Sequence, residues 1–403
     1  KPLPNSVKES LQDKESSRAV STVHRVDDSF TQQLCNEFPQ IFKAKLGCLK
    51  EYSHHIRLIP GAVPVCSKVR GVPLTVREDM EKELIKLKEA GIIEEVEGTQ
   101  WLAPVVAARK PNGSLRLCVD LRGLNKNVLV DRYPLPNISD MLSLMKGATV
   151  FSNIDLVSAY HQIRLDEMSK EYTAFVTPFG TFKFARLPFG LVSAASVFQR
   201  ALEKVLRGVQ GVKVYQDDVL VFGKDIPEHD IRLREVLKRL SKANLTVKVE
   251  KCRFRQDSIV YLGHTISSTG VTPKRDLVDT IDKLVSPTNK EELLHFLGMV
   301  EYYNKFIRGF SELSVQMRSL LKKGVEFKWS EDCEKEFKML KSKLNNAPSL
   351  RSFDPDARAY LCTDASKRGL GAVLKQGSGE TERTIMFLSR SLKGADLKYS
   401  VIE

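Results

Sequence analysis

The sequence predicts a mixed α+β protein built from more than one structural unit. Its 403 residues correspond to roughly two to four units at about one domain per 150 residues. Short apolar runs at 154–156 and 212–222 alternate with segments of helical periodicity such as 194–206, a pattern that favours strands and helices in a common core. With 42% hydrophobic and 28% charged residues the chain can bury such cores, which excludes disorder over its whole length.

The charge balance indicates a polyanionic partner. The 63 lysines and arginines exceed the 50 aspartates and glutamates, and nucleic acid is the first candidate for a chain with a net charge of +13. No run approaches the roughly 18 consecutive apolar residues of a membrane helix, and the N-terminal residues lack the apolar core of a signal peptide. We therefore expect no membrane association.

The seven cysteines are an odd number and lie far apart, with neither a C-x-x-C pair nor zinc-finger spacing. This pattern predicts free, mostly buried thiols in a reducing compartment. The chain begins without methionine and stops at Glu403 in a helix-like context, so we expect a piece of a longer protein.

Local sequence patterns predict the secondary-structure elements of the first part of the chain. Residues 1–45 are polar with an apolar cluster at 38–42, which predicts a linker with a docking helix. A helix is expected from Thr75, as its N-cap, to Ala90-Gly91, because apolar residues recur on one stripe. That stripe consists of Val76, Met80, Leu84 and Leu87. Residues 110–114 predict the turn of a basic hairpin between two extended runs.

The second half begins with another amphipathic helix, predicted over 227–244 and ended by Asn244. Its apolar positions are Leu233, Val236, Leu237 and Leu240. Beyond Pro273 the sequence becomes helical and basic. A last unit is expected to open near Asp354, with 359–362 as its first strand.

Three acidic residues interrupt the apolar runs. Asp217 and Asp218 lie between the two apolar halves of 212–222, and Asp155 ends the apolar run before it. An unpaired buried charge costs several kcal/mol, so a cation is expected beside them. A pair of Mg²⁺ ions about 3.5–4 Å apart would satisfy three such acids and serve phosphoryl transfer. The alternative is that Asp217 and Asp218 simply form a hairpin turn, where aspartate is common.

Several sequence blocks carry a specific resemblance. Y-Q-D-D at 215–218, I-D-L-V-S-A-Y at 154–160 and L-P-F-G at 187–190 resemble the reverse transcriptase domain, in a version close to that of gypsy-type LTR retrotransposons. Further blocks follow in the order of that family: W-L-A-P-V-V at 101–106, R-L-C-V-D-L-R-G-L-N at 116–125, Y-P-L-P at 133–136, A-F-V-T-P-F-G at 174–180, Y-L-G-H at 261–264 and F-L-G at 296–298.

The resemblance implies a right-hand polymerase fold of fingers, palm and thumb, then a connection and a truncated RNase H-like α/β unit. We accordingly expect an N-terminal extension at 1–45, fingers and palm at 46–265, thumb and connection at 266–353, and the start of an RNase H-like domain at 354–403.

The resemblance also implies roles for individual residues. It identifies Asp155, Asp217 and Asp218 as the catalytic residues and as the ligands of two Mg²⁺ ions, with Mn²⁺ as an alternative ion. The nucleotide-binding positions are Lys110 and Arg116 for the triphosphate, Tyr160 beneath the sugar, Phe189 as pocket wall without a hydrogen bond, and Lys251 as proton donor to the departing pyrophosphate. Primer and template contacts are expected at Tyr215, Leu262 and Gly263.

Purely structural interpretations of some of these residues stay open on sequence alone. Lys110 and Arg116 fit a solvated basic turn, Tyr160 fits a core aromatic, and Lys251 fits an ordinary surface lysine.

The C-terminal third is expected to follow the duplex and then to begin a nuclease fold. Positive charge is interleaved with aromatic rings. The basic residues are Lys274, Arg275, Lys283, Lys290, Lys305, Arg308, Lys322 and Lys323, and the aromatic residues are Tyr302, Tyr303 and Phe306. Asp364 matches the first metal-binding carboxylate of RNase H. The remaining acids of that site lie at or beyond Glu403, so RNase H activity is expected to be absent.

These inferences predict an RNA- and DNA-templated DNA polymerase that extends a primer 3′-OH with dNTPs by two-metal phosphoryl transfer. The expected partners are RNA template, DNA primer, RNA–DNA hybrid and dNTPs, with a homodimer left open. The expected location is the cytoplasm, within virus-like particles. The rival functions are an RNA-dependent RNA polymerase, against which Tyr160 argues, and a catalytically silent nucleic-acid-binding protein, against which the intact acids argue.

Overall fold

The computed structural model describes residues 28–43, 45–109, 113, 115–131, 133–134, 136, 141, 145–366 and 369–392. Within these ranges the helices are α1 (Asp28–Glu37), α2 (Leu74–Glu89), α3 (Arg122–Asn125), α4 (Glu167–Tyr172), α5 (Ala194–Val205), α6 (Ile226–Lys242), α7 (Arg275–Asp282), α8 (Lys290–Glu301), α9 (Val315–Leu320) and α10 (Glu331–Asn345). Short 3-10 helices lie at Ala159–Gln162, Val249–Lys251, Asn304–Phe306, Glu312–Ser314 and Gly379–Thr381.

The strands complete the predicted α+β class. They are β1 (Ser53–His54), β2 (Ile93–Glu95), β3 (Ala103–Arg109), β4 (Leu115–Val119), β5 (Val150–Asp155), β6 (Arg164–Leu165), β7 (Phe175–Thr177), β8 (Gly180–Phe184), β9 (Val212–Tyr215), β10 (Asp218–Gly223), β11 (Arg253–Gln256), β12 (Ser258–Tyr261), β13 (His264–Ser267), β14 (Gly270–Pro273), β15 (Ala359–Ala365), β16 (Gly369–Gln376) and β17 (Arg383–Ser391).

The central sheet has the strand order β11-β5-β10-β9, and all of its neighbours are antiparallel. Each face of this sheet is covered by a different core, and its middle strand β10 is apolar at four successive positions, 219–222. On β10, Val219 and Val221 belong to one core, and Leu220 and Phe222 belong to the other. The continuous apolar half-run at 219–222 therefore reflects a strand that is buried on both faces.

Helices α5 and α6 pack with the first core. Both were predicted, and α6 begins one residue earlier than expected, after Asp225, whose side chain accepts a hydrogen bond from the Glu228 N–H. Asn244 has a φ of 58° just beyond the end of α6, so its predicted role as a terminator is confirmed. The docking helix is also confirmed, because α1 buries Phe30 and Leu34 in the same core.

A five-stranded sheet, β2-β8-β7-β3-β4, lies beside the central sheet and extends the same core. The predicted hairpin is present, since β3 and β4 pair from Val105 opposite Val119 to Arg109 opposite Leu115. The predicted N-cap Thr75 is wrong: α2 starts at Leu74 after Pro73, and no side chain caps it. Pro73 occupies the N-cap position, and because its side chain has no oxygen to accept a hydrogen bond, the helix begins without a side-chain cap.

The second core joins the central sheet to β12-β13-β14 and to α7, α8, α9 and α10. This confirms the helical texture predicted beyond Pro273. No helix in the described ranges has the length and apolar character needed to cross a membrane.

The last sheet, β15-β16-β17, is only partly covered: every residue of β15 is exposed, and most residues of β16 and β17 are half-buried. Ile385 is buried, and Phe387 packs against the second core. Leu361, Leu370 and Leu388 are exposed. Val373 and Leu374 are half-buried.

The thiols differ from the sequence prediction. All seven cysteines are free, but only Cys252 and Cys333 are buried, while Cys66, Cys118 and Cys362 are exposed. The prediction of mostly buried thiols is wrong because cysteine is small enough to occupy exposed strand positions at little cost.

Buried histidines make the fold sensitive to acid. Burial lowers the pKa of His54 and of His264 to about 4, and it also lowers the pKa of His229. The unfolded chain would protonate these rings near pH 6.5, so it binds more protons than the folded chain between about pH 6.5 and 4. We expect the melting temperature to fall as the pH decreases through this window and to be insensitive to these groups above pH 7.

His264→Asn tests the cause, because asparagine keeps a donor for the Leu262 carbonyl that His264 Nδ1 contacts at 2.7 Å but cannot be protonated in this range. Thermal unfolding between pH 8 and pH 5 should give a shallower pH dependence for the variant. An unchanged slope would contradict the assignment to this residue.

Candidate active site

Two of the predicted acids face each other across neighbouring strands. Asp218 begins β10 and is paired directly with Asp155, the last residue of β5. Side chains in such a pair lie on the same face, with Cβ atoms about 4.5–5.5 Å apart. Asp217 lies in the two-residue turn between Tyr215 and Asp218. Asp217 and Asp218 are therefore at a hairpin turn, and that turn brings Asp218 opposite Asp155.

The site holds an excess of negative charge. Burial, followed by the charges of Asp217 and Asp155, raises the pKa of Asp218 above its ordinary value, although Asn153 hydrogen-bonds its carboxylate and opposes the shift. Lys251 Nζ lies 3.4 Å from Asp155 Oδ2, and its side chain is 59% exposed. The structure thus brings Lys251 to the acids, and sequence reasoning had no signal for Asn153.

The donor set suits a hard cation. Carboxylate oxygens are among the ligands that Mg²⁺ prefers. The raised pKa of Asp218 reflects burial and an excess of negative charge, which a cation would offset. In the part of the chain that the structure describes, no group of three or more His, Cys, Asp or Glu side chains is close enough to hold a metal ion. The backbone register supplies Asp155 and Asp218 on one face, while their side chains contact Lys251 and Asn153.

Aromatic rings form a cluster next to the acids. The ring of Tyr160 lies 4.9 Å from that of Phe189 and 5.6 Å from that of Phe198, between ring centroids. Burial, and then the charge of Asp217, raises the pKa of Tyr160, which indicates that its ring is near that carboxylate. The Arg116 guanidinium lies 5.6 Å from the Phe189 centroid. Tyr160, Phe189 and Arg116 are thus brought together, whereas Lys110 lies outside the described residues.

The turn between β12 and β13 is held by two tyrosines. Leu262 and Gly263 both have positive φ, at 46° and 69°. Tyr302 Oη donates to the Leu262 carbonyl at 2.7 Å, and Tyr303 Oη donates to the Gly263 carbonyl at 2.8 Å. A Cβ on Gly263 would lie 3.2 Å from the Tyr302 ring, so glycine permits this close approach. Tyr215 lies near enough to raise the pKa of Tyr302.

These contacts correct the expectation for the C-terminal aromatics. Tyr303 and Phe306 are 2% and 1% exposed, so they form core rather than a surface along a duplex. Lys290 is also engaged internally, because its Nζ donates to the Lys322 and Val325 carbonyls. Burial lowers the pKa of Lys305 to about 8.

Asp364 lies apart from these residues, on the exposed strand β15. It borders an open cavity of about 770 Å³ together with Leu370, Leu388 and Arg390. Glu403, the other residue considered for this site, lies outside the described residues.

Comparisons with known proteins agree with the sequence resemblance. Residues 108–266 match the family "Reverse transcriptase (RNA-dependent DNA polymerase)", and residues 329–403 match "RNase H-like domain found in reverse transcriptase". The chain is 35% identical over 325 residues to the transposon Tf2-3 polyprotein of Schizosaccharomyces pombe, which covers 80% of this chain and 24% of that protein. It is 32% identical over 383 residues to the retrovirus-related Pol polyprotein from transposon 412 of Drosophila melanogaster, covering 92% and 31%. The chain therefore spans about a quarter to a third of these relatives.

Solved structures share the fold. The foamy viral protease-reverse transcriptase dRH in complex with double-stranded DNA superposes with a TM-score of 0.85 at 21% identity, covering 100% of this chain and 72% of that one. The same viral protein in complex with an RNA/DNA hybrid gives 0.81 at 20% identity, covering 100% and 55%. Likeness at this identity speaks for the fold alone, and it confirms the fold expected from the sequence.

The two tyrosine hydrogen bonds to the β12–β13 turn can be tested by removing one hydroxyl. Tyr303→Phe should lower the free energy of unfolding by about 1 kcal/mol, because the Gly263 carbonyl loses a buried hydrogen bond. Tyr261→Phe is the matched control, since the Tyr261 hydroxyl is buried and has no hydrogen-bond partner among the described residues. Chemical denaturation should find the control as stable as the parent or more stable. Equal losses in both variants would contradict the role of Tyr303.

Proposed function

Because the chain belongs to the reverse transcriptase family of LTR-retrotransposon Pol polyproteins, we propose that it is an RNA- and DNA-templated DNA polymerase of the gypsy type. It would extend a primer 3′-OH with dNTPs. The observation that carries the proposal is the direct pairing of Asp155 with Asp218, with Asp217 in the adjoining turn.

Asp155, Asp217 and Asp218 would hold two Mg²⁺ ions, with Mn²⁺ as an alternative. When bound, such ions stabilise the charge on the attacking and leaving oxygens of a phosphoryl transfer. Lys251 supports the same reaction from the side of the protein. It is an exposed cation beside Asp155 and would donate a proton to the departing pyrophosphate.

The aromatic cluster of Tyr160, Phe189 and Phe198 would select deoxyribose over ribose in the incoming nucleotide. The Tyr160 ring contacts the rings of both Phe189 and Phe198, and these contacts would restrict its movement away from an incoming nucleotide. A fixed ring at this position would clash with a ribose 2′-OH. Arg116, with Lys110, would bind the triphosphate, because a guanidinium offers a bidentate fork to phosphate oxygens.

The partners and location follow from charge and thiol chemistry. A net charge of +13 favours RNA template, DNA primer and their hybrid as ligands. Free cysteines at exposed positions fit a reducing compartment such as the cytoplasm, within virus-like particles. We propose that RNase H activity is absent, because Asp364 stands on an open sheet face without a second described acid at its cavity. Whether two chains form a homodimer is decided by sedimentation.

Primer extension on matched RNA and DNA templates, with and without Mg²⁺, tests the function. Asp217→Asn keeps the size of the side chain and removes its charge, so we expect extension to fall by at least about 10³-fold, or roughly 4 kcal/mol of transition-state stabilisation. Duplex binding, measured by filter retention, should change little. Asp257→Asn, an exposed acid between β11 and β12, is the control that should retain activity. More than a tenth of parental activity in Asp217→Asn would refute the assignment.

Sugar selection by Tyr160 can be tested separately. Tyr160→Ala removes the ring that would block the 2′-OH, so incorporation of rNTPs should rise while dNTP use falls only modestly. Tyr160→Phe keeps the ring and should keep the parental selectivity. The measurement is the ratio of kcat/KM for matched dNTP and rNTP. If that ratio is unchanged in Tyr160→Ala, another group discriminates between the sugars.

A further inference from the structure

The turn that carries Asp217 has an unfavourable backbone. Gln216 and Asp217 are the two residues between the paired Tyr215 and Asp218, and Gln216 has a φ of +54°. Positive φ at the first central residue of a two-residue hairpin favours glycine, because a side chain there is strained. A glutamine in this position therefore needs a compensating contact from the surrounding structure.

Gln199 of α5 provides such a contact. Its side chain is fully buried, and its Oε1 accepts a hydrogen bond from the Gln216 N–H at 2.5 Å. Its Nε2 donates to the Val214 carbonyl on β9 at 2.9 Å. One amide group thus holds both the strained residue of the turn and the strand that leads into it.

The amide of Gln199 is itself fixed in orientation. Its Nε2 also donates to Glu203 Oε1 at 2.6 Å, and the other carboxylate oxygen of Glu203 accepts from the Tyr133 hydroxyl. The neighbouring residues Phe198 and Leu202 are each 1% exposed, which holds α5 in the first core. A donor and an acceptor on a rigid helix can define the position of a turn more closely than the turn could itself.

We propose that Gln199 is a positioning residue for the catalytic turn, holding Gln216 in its left-handed conformation so that Asp217 is presented beside Asp155 and Asp218. The proposal rests on the polymerase function proposed above. Gln199 would touch neither nucleotide nor primer, and its effect would pass through the backbone of Gln216.

The test is a double-mutant cycle. Gln199→Met removes the hydrogen bonds at similar volume, and Gln216→Gly removes the strain that those bonds offset. Gln376→Met is the matched control: Gln376 is 4% exposed and also makes three hydrogen bonds to backbone, to Asp354 N–H and to the carbonyls of Asp354 and Ala357, in the distant last sheet.

In steady-state primer extension, Gln199→Met should lower kcat by about 10- to 100-fold. KM for dNTP should stay within about threefold, because the nucleotide pocket is untouched. Gln376→Met should leave kcat near the parental value. Adding Gln216→Gly to Gln199→Met should raise kcat again, whereas Gln216→Gly alone should not raise it. Multiplicative effects of the two changes, or an equal loss in Gln376→Met, would overturn the proposal.

Thermal unfolding of the same variants gives a readout that does not depend on activity. Gln216→Gly should recover part of the melting temperature that Gln199→Met loses and should recover none in the Gln376→Met background. If Gln199→Met alone is insoluble, the proposal requires the Gln199→Met/Gln216→Gly chain to be soluble, and an equally insoluble pair overturns it. A parental chain without extension activity but with the thermal coupling would refute the polymerase function and leave the role of Gln199 in the turn intact.

Discussion

The rest of the structure depends on one constraint: two carboxylates lie side by side, Asp155 on β5 and Asp218 on β10. Like charges at this distance repel, and burial raises the pKa of Asp218 further. Only a stiff backbone can keep them together, and β5 and β10 are the middle strands of a sheet covered on both faces. The two cores therefore hold apposed charges that would otherwise separate.

The side chains around the acids come from elements that are distant in sequence. Lys251 follows α6, Tyr160 lies in a 3-10 helix after β5, and Arg116 is on β4 of the neighbouring sheet. Phe189 lies between the last two of these, since its ring contacts both Tyr160 and Arg116. The relative placement of these side chains therefore depends on the packing of the two sheets against each other.

The sequence alone pointed to residues that interrupt or end a local apolar pattern. Asp155, Asp217 and Asp218 were conspicuous because charges interrupt apolar strands, and Asn244 was conspicuous because it follows an amphipathic stripe. Sequence reasoning missed Gln199, Tyr303 and Asn153, because their partners lie 17, 40 and 65 residues away and such hydrogen bonds leave no periodic signal. Tyr303 was even assigned to a surface, since an aromatic residue among lysines has the same composition whether its ring points outward or inward.

The alternation along β10 has a mechanical consequence. Asp218 shares its face of the sheet with Leu220 and Phe222, which belong to the same core as helices α7 to α10. Those helices therefore share one apolar core with the strand that carries the acid, on the face of the sheet to which Asp218 belongs. A displacement of the helices would disturb the packing of Leu220 and Phe222, which lie two and four residues along the strand from Asp218.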